Sequence, residues 1–289
     1  MRLRTLVVAL LIALGLVLAG PNSVADADDA TALIEEAEAL MPERHESSTM
    51  AQIIDLYEDV LPQFDGLNRE RQAFVLNRLS RLHYEAAVLA DGMHPQDRSQ
   101  LNRAREFGFR SLRLDPDFAD WEERDFPKAL SFIDDREALL WAGDAWGQMF
   151  QLNPLEGLTN IGSLLAMYRR CLEIEDDAIQ GAGCHRSIGA MLVTTPGWLG
   201  GDKAEGTDHL EQAIEQAPGY LQNHMVYAEY WGFSYDGFGN KNGIRDRALI
   251  EARLQLVAEA PIGDWPFWNR IAKGQIERLR EELQRFAAH

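Results

Sequence analysis

The stretch SIGAMLVTTPGWLGGDKAEGTDHLEQAIEQAPGYLQNHMVYAEYW, residues 187–231, decides the fold. It reads as helix, tight loop, helix, short turn, helix. Pro196, Gly197, Gly200 and Gly201 end the first helix, because proline lacks the amide and glycine lacks the conformational restraint that a helix needs. Asp202 followed by Glu205 has the spacing of a capping box, an acceptor for orphan amides with a carboxylate reaching back from the third position. Leu210, Ala213 and Ile214 form an apolar stripe, and Pro218 stops the second helix.

Within that helix Gly206, Leu210, Ala213 and Pro218 stand at offsets of 0, 4, 7 and 12. These are the offsets of the second helix of a tetratricopeptide repeat, where small residues let two helices approach and a proline sets the turn to the next pair. Ala104, Gly108, Ser111 and Pro116 repeat them, 102 residues upstream, or three periods of 34. Phe150 and Cys184 stand at the intermediate proline positions, so the repeats between are degenerate or the arithmetic is accidental. Working outward, apolar residues recur at helical spacing from Ala30 to Met41, from Met50 to Leu61, and from Leu79 to Leu89. The expected fold is all-α, a TPR-like solenoid of helical hairpins with about 11–13 helices.

Residues 135–152 (DREALLWAGDAWGQMFQL) are apolar around most of the helix circumference. Trp141 and Trp146 point about 140° apart, so this helix is expected to be buried on two sides. The acidic run at 115–126 reads as a solvated connector, since the glycine and final glutamate of an EF-hand are absent. Phe238 to Leu249 fails the same test and reads as a loop. The last hairpin, residues 244–260 and 264–289, ends in RLREELQRF, the solvated outer face of a capping helix.

Residues 1–27 read as a secretory signal peptide: Arg2 and Arg4, an apolar run from Leu6 to Ala19, and Ala25-Asp26-Ala27 as a small-x-small cleavage site. The run is shorter than a bilayer span, and no cysteine near the cleavage site could carry a lipid. The expected product is a soluble periplasmic protein, one α-helical domain at 28–289 comprising N-terminal helices (28–94) and a second region (95–289). The chain carries a formal charge of −18, and losing residues 1–27 leaves −19. Such a body repels phosphate, which argues against nucleic acid and anionic membrane partners, and nothing after the leader would insert in a membrane. Cys171 and Cys184 lie about seven residues either side of one turn, so they would face each other in an antiparallel hairpin. A disulfide and two buried free thiols both fit that placement, and a Cα separation above about 7 Å would exclude the bridge. The histidines are scattered, with no HExxH and no G-x-S-x-G, so no catalytic residues, metal site or cofactor is expected.

ALLWAGDAWGQMFQLN (138–153), TNIGSLLAMYRRCLEIED (159–176), CHRSIGAML (184–192), GGDKAEGTDHLEQAIEQAPG (200–219) and VYAEYWGF (226–233) together resemble the TatT family, the tetratricopeptide-type periplasmic T components of TRAP transporters. The similarity covers roughly residues 95–288. Two departures stand out: the link after VYAEYW is lengthened by SYDGFGNKNG, and the lipoprotein cysteine is missing. The resemblance implies a substrate-binding P component as partner, a small organic ligand, and protomers with a central hole that assemble into a homo-oligomer, a trimer among the options. Under it Trp141, Trp146, Tyr227 and Trp231 become candidates for an aromatic ligand or partner surface, with core packing as the alternative for each. Arg186 could pair with an anionic cargo or sit in a surface ion pair. A second functional class stays open: a periplasmic TPR scaffold for cell-envelope assembly that binds no small molecule.

Overall fold

The computed structural model describes residues 23–175, 178–236 and 240–287. The leader expected at 1–27 therefore lies largely outside the described residues. Helix α1, Ser23–Leu40, starts upstream of the expected boundary at residue 28.

Fourteen α-helices follow one another among the described residues. After α1 come α2 (Ser47–Asp59), α3 (Arg69–Asp91), α4 (Arg98–Leu112), α5 (Pro116–Trp121), α6 (Phe126–Leu130), α7 (Arg136–Leu152) and α8 (Pro154–Ile174). The second half holds α9 (Gly183–Thr194), α10 (Lys203–Gln216), α11 (Leu221–Tyr230), α12 (Arg247–Glu259), α13 (Pro266–Gly274) and α14 (Ile276–Ala287). The count exceeds the expected range for two local reasons. The acidic connector at 115–126 is not a plain solvated turn: Asp115 and Asp125 cap two short helices, and Phe118 between them is fully buried. The final helix is divided where α13 ends at Gly274 and α14 begins at Ile276.

Consecutive long helices pack on one another: α3 on α4, α4 on α7, α7 on α8, α9 on α10, and α11 on α12. The small residues at the repeat offsets stand where these helices come closest. A Cβ on Gly108 would lie 2.6 Å from the Ala142 methyl, and Ser80 Oγ donates to the carbonyl of Ala104 at 2.8 Å. A Cβ on Gly189 would meet Leu210 at 2.6 Å, and one on Gly206 would meet Leu192 at 2.9 Å. Helix propensity is thus given up at these glycines for backbone approach. Asp202 caps α10 through the amides of Ala204 and Glu205. The reciprocal half of the expected capping box is missing, because the Glu205 carboxylate pairs with Arg169 of α8 at 2.8 Å.

The array does not remain open. Phe267 and Trp268 of α13 belong to the same core cluster as Met41, Tyr57 and Leu79 from the N-terminal helices. The Arg44 guanidinium lies 5.0 Å from the Phe267 ring centroid, and Trp268 lies 6.2 Å from Tyr84 of α3. Nearby, the buried Glu229 of α11 binds His94, just after α3, at 2.8 Å, together with Arg278 of α14 at 2.8 Å. The C-terminal helices therefore return to the N-terminal ones. This closure was not part of the sequence expectation.

The lengthened link also departs from expectation. It holds a two-stranded antiparallel hairpin, β1 (Phe233–Tyr235) with β2 (Lys241–Ile244), pairing Phe233 with Ile244. Phe233 is buried, Tyr235 stacks on Tyr230, and Lys241 binds Glu229 and Glu282. Strands this short leave too little alternation to be read. The tip at 237–239 falls outside the described residues.

Cys171 and Cys184 are joined by a disulfide across α8 and α9, with Cα atoms 6.4 Å apart. On the chain-entropy estimate, closing a loop of this size contributes about 3 kcal/mol. Urea denaturation of the Cys171→Ser/Cys184→Ser variant is expected to show a loss of that order, with native helicity retained in the absence of denaturant. A loss of less than about 0.5 kcal/mol would mean that the unfolded chain gains nothing from being released.

Candidate functional site

Helix α7 divides the core, and its two tryptophans go to different sides as the sequence implied. Trp141 lies in the cluster shared with α3 and α13, and Trp146 in the cluster shared with α8 and α9. Trp146 is surrounded by Phe109, Phe126 and Phe150 at centroid distances of 5.4–6.0 Å, and its Nε1 donates to Glu156 at 2.9 Å. That indole has no free polar group. Trp141 is equally covered, but its Nε1 finds no acceptor.

The remaining candidates divide as well. Tyr227 donates to Glu211 at 2.9 Å and lies under the Arg253 guanidinium, while Trp231 is covered by Arg245 at 4.3 Å. Both belong with the third core cluster, around α11 and α12. Burial, then the Glu211 carboxylate, pushes the Tyr227 phenol up to about 12. Arg186 is not in a surface ion pair. It is buried, its Nη1 donating to the Gly181 carbonyl at 3.1 Å and to Asn223 Oδ1 at 2.9 Å. Its guanidinium lies 4.9 Å from the Tyr220 ring centroid. Gly181 makes that placement workable: with φ at +66° it is in the left-handed region, and a Cβ there would fall 2.2 Å from the Tyr220 ring.

Of the five candidates, then, Trp141 and Arg186 share a neighbourhood, where α3, α7, α9, α11 and α13 meet. Tyr84 contacts Trp141 (6.1 Å) and Trp268 (6.2 Å), and Trp268 contacts Tyr220 (6.3 Å). Arg81 lies over Trp141 at 5.1 Å and is held by Glu85, which also binds Arg44. Three buried donors in this ring of aromatics have no acceptor among the described residues: Trp141 Nε1, Trp268 Nε1 and Tyr220 Oη. Each such group costs about 1–3 kcal/mol against a satisfied one. These three atoms are sealed inside the packing, as are Asn77 Oδ1 and Ser111 Oγ elsewhere in the core.

Asp144, also at this junction, escaped the sequence reading. Its Oδ1 accepts from Tyr168 Oη at 2.9 Å and from Ser187 Oγ at 2.8 Å. Its side chain is only part-covered. Gln148 and Ser187 are likewise part-covered, and Tyr84 beside them keeps 8% of its surface. These polar groups keep accessible surface beside the sealed aromatic junction. Burial pushes the Asp144 carboxyl up, against the pull of Arg186, Ser187 and Tyr168. A signal was present: Asp144 is the one charge within the apolar run 138–150, and a lone buried charge is informative.

Two open hollows lie elsewhere. One, of about 370 Å³, is lined by Thr31, Ile34, Asn68, Arg71 and Phe74; the other, about 320 Å³, by residues 193–197, Gly201, Lys203, Tyr235 and Asp236. His185 and His209 bring their Nδ1 atoms to 2.7 Å across α9 and α10. Among the described residues no three His, Cys, Asp or Glu side chains converge as metal ligands.

With this geometry in hand, comparison with known proteins gives one positive finding. Residues 94–286 match the TRAP transporter T-component family, a span that takes in α4 to α13 and nearly all of α14. A search of curated proteins finds no match.

The Asp144 carboxyl yields a pH test. A folded pKa raised above the ordinary carboxylate value means that the native state holds the proton more tightly than the unfolded chain. Stability then falls as pH rises from that ordinary value through the raised one. Asp144→Asn removes the charge while keeping an acceptor for Ser187 and Tyr168. The variant is expected to melt higher than the parent at pH 7 and to lose that advantage near pH 3. Equal melting at both pH values would show that the buried charge costs nothing.

Proposed function

This chain belongs to the TRAP transporter T-component family, and on that premise we propose that it is a periplasmic accessory protein that docks the substrate-binding P component and holds a small organic molecule. The observation that carries this reading is the family match itself, which runs over residues 94–286 and takes in Asp144, Arg186 and Trp198. In this reading the leader is cleaved on export, no lipid tethers the protein, and copies assemble as a homo-oligomer of trimer type. Among the described residues no helix is long and apolar enough to cross a membrane.

A docking surface has a specific candidate. Trp198, on the turn after α9, is 74% exposed, and Leu155 and Leu158 at the start of α8 are 75% and 47% exposed. Because α8 and α9 run antiparallel from the Cys171–Cys184 bridge, these residues lie at the same end of the pair. An exposed tryptophan is the type of side chain that dominates protein interfaces when a partner covers it.

Pull-down of the tagged chain from a periplasmic extract, followed by mass spectrometry, is expected to recover a solute receptor of the P type. Recovery of cell-wall machinery alone would end the transport reading in favour of a scaffold. With the receptor in hand, Trp198→Ala is expected to weaken binding by at least about tenfold while leaving melting within about 2 °C of the parent. Unchanged affinity would move the docking face elsewhere.

A further inference from the structure

The hollow of about 320 Å³ has two walls of different origin. One is the turn between α9 and α10, carrying Pro196 and Gly197, with Lys203 at the first position of α10. The other is formed by Tyr235 and Asp236, at and just past the end of β1. This second wall exists because the link after α11 is long enough to fold back as a hairpin. Trp198 stands on the lip: it follows Gly197 directly and is 74% exposed. A Cβ on Gly197 would meet nothing within 4 Å, so the lip is open.

The charges around the hollow are unevenly used. Asp202 accepts from the amides of Ala204 and Glu205, and the Glu205 carboxylate pairs with Arg169. Asp236 accepts from the amide of Asn240 at 2.9 Å and from its Nδ2 at 3.2 Å. Each of these carboxylates therefore has donors of its own. Lys203 is exposed, and its ammonium group makes no hydrogen bond or ion pair among the described residues. In a chain of formal charge −18, such a lysine at the edge of a hollow is a cation left over for something else.

This pattern selects the occupant. Pro196 and the Tyr235 ring offer apolar walls to a methylene chain, and the ammonium at the rim calls for a carboxylate at the end of it. A basic group there would meet Lys203 as a like charge. The volume stands at the small end of binding pockets, room for one side chain rather than for a helix or strand. We propose that the docked receptor inserts an acidic side chain, glutamate or aspartate, into this hollow to pair with Lys203, while Trp198 on the lip packs against the receptor surface. This rests on the reading that Trp198 marks the docking face. It adds a second contact, the charge of the partner at that point, and a use for the hairpin as the wall that shapes the contact. A pair covered on docking is also worth more than one left in water.

The test uses the purified chain and the receptor recovered by pull-down, with affinity read by surface plasmon resonance at low and high salt. At low salt Lys203→Glu is expected to weaken binding by at least about tenfold, and Lys203→Met by less. Lys203→Met is also expected to lose part of the salt dependence that the parent shows. Arg270→Glu makes the same change of charge at an exposed position on α13 and is expected to stay within about twofold of the parent. Carbodiimide coupling of the complex, followed by peptide mass spectrometry, is expected to join Lys203 to a receptor glutamate or aspartate. Replacing that receptor residue by lysine is expected to restore binding to the Lys203→Glu chain. A receptor that loses affinity on Trp198→Ala but binds Lys203→Glu like the parent would overturn the proposal and keep the docking face. Equal losses from Lys203→Glu and Arg270→Glu would overturn it as well, because the effect would then be one of net charge. A receptor indifferent to both Trp198→Ala and Lys203→Glu would overturn the docking face and this contact together.

Discussion

Everything interior to this protein depends on the contact between its two ends. Glu229, fully buried on α11, would be ruinously placed without countercharges, since an isolated carboxylate in the core costs several kcal/mol. Burial alone would raise its pKa; His94, Lys241 and Arg278 hold it well below the usual carboxylate range. Those partners come from the loop after α3, from β2 and from α14. One carboxylate therefore ties the N-terminal helices, the hairpin and the C-terminal helix together. The aromatic contact of Trp268 with Tyr84 and the Arg44–Phe267 stack make the same connection by apolar means. With the ends joined, the faces of α3, α7, α9, α11 and α13 turn toward a common interior.

That interior is polar at a cost. A helix as apolar as α7 would pack most stably with leucine or methionine at position 144, as buried charges generally gain nothing over well-packed apolar residues. The chain instead surrounds Asp144 with two hydroxyls and a neighbouring arginine, and it leaves three donors at the same junction without acceptors. Unpaired buried atoms stand elsewhere too, at Asn77, Ser111 and Arg245 among others, so it is the charge placed within α7 that sets this junction apart. The exposed Trp198 is the surface counterpart, a side chain whose apolar area only a partner could cover.

What the sequence revealed depended on how local the cause was. The close approaches at Gly108 and Gly206 were legible because a single helix pair needs small residues at set offsets. The opposed burial of Trp141 and Trp146 followed from five residues of helical rotation, and the Cys171–Cys184 pair from symmetry about one turn. The closure of the array was illegible, because Arg44 and Phe267 are more than two hundred residues apart and nothing near either names the other. The hairpin at 233–244 is held mainly by Phe233 packing and by Lys241 reaching Glu229 and Glu282, contacts that leave no periodic trace. For the site, the sequence pointed to aromatic residues, and Tyr227 and Trp231 proved to be capped by arginines of their own cluster. Asp144 was visible as a lone charge, but a lone charge does not say which helices surround it.

A linear stack of helix pairs unzips from its termini, because the outermost pair has a neighbour on one side alone. The Arg44–Phe267 and Glu229 contacts remove that weak point at the C-terminal side, because fraying of the last helices must first break them. The molecule should accordingly lose its structure as a single cooperative unit. Opening would begin at this seam rather than at a chain end.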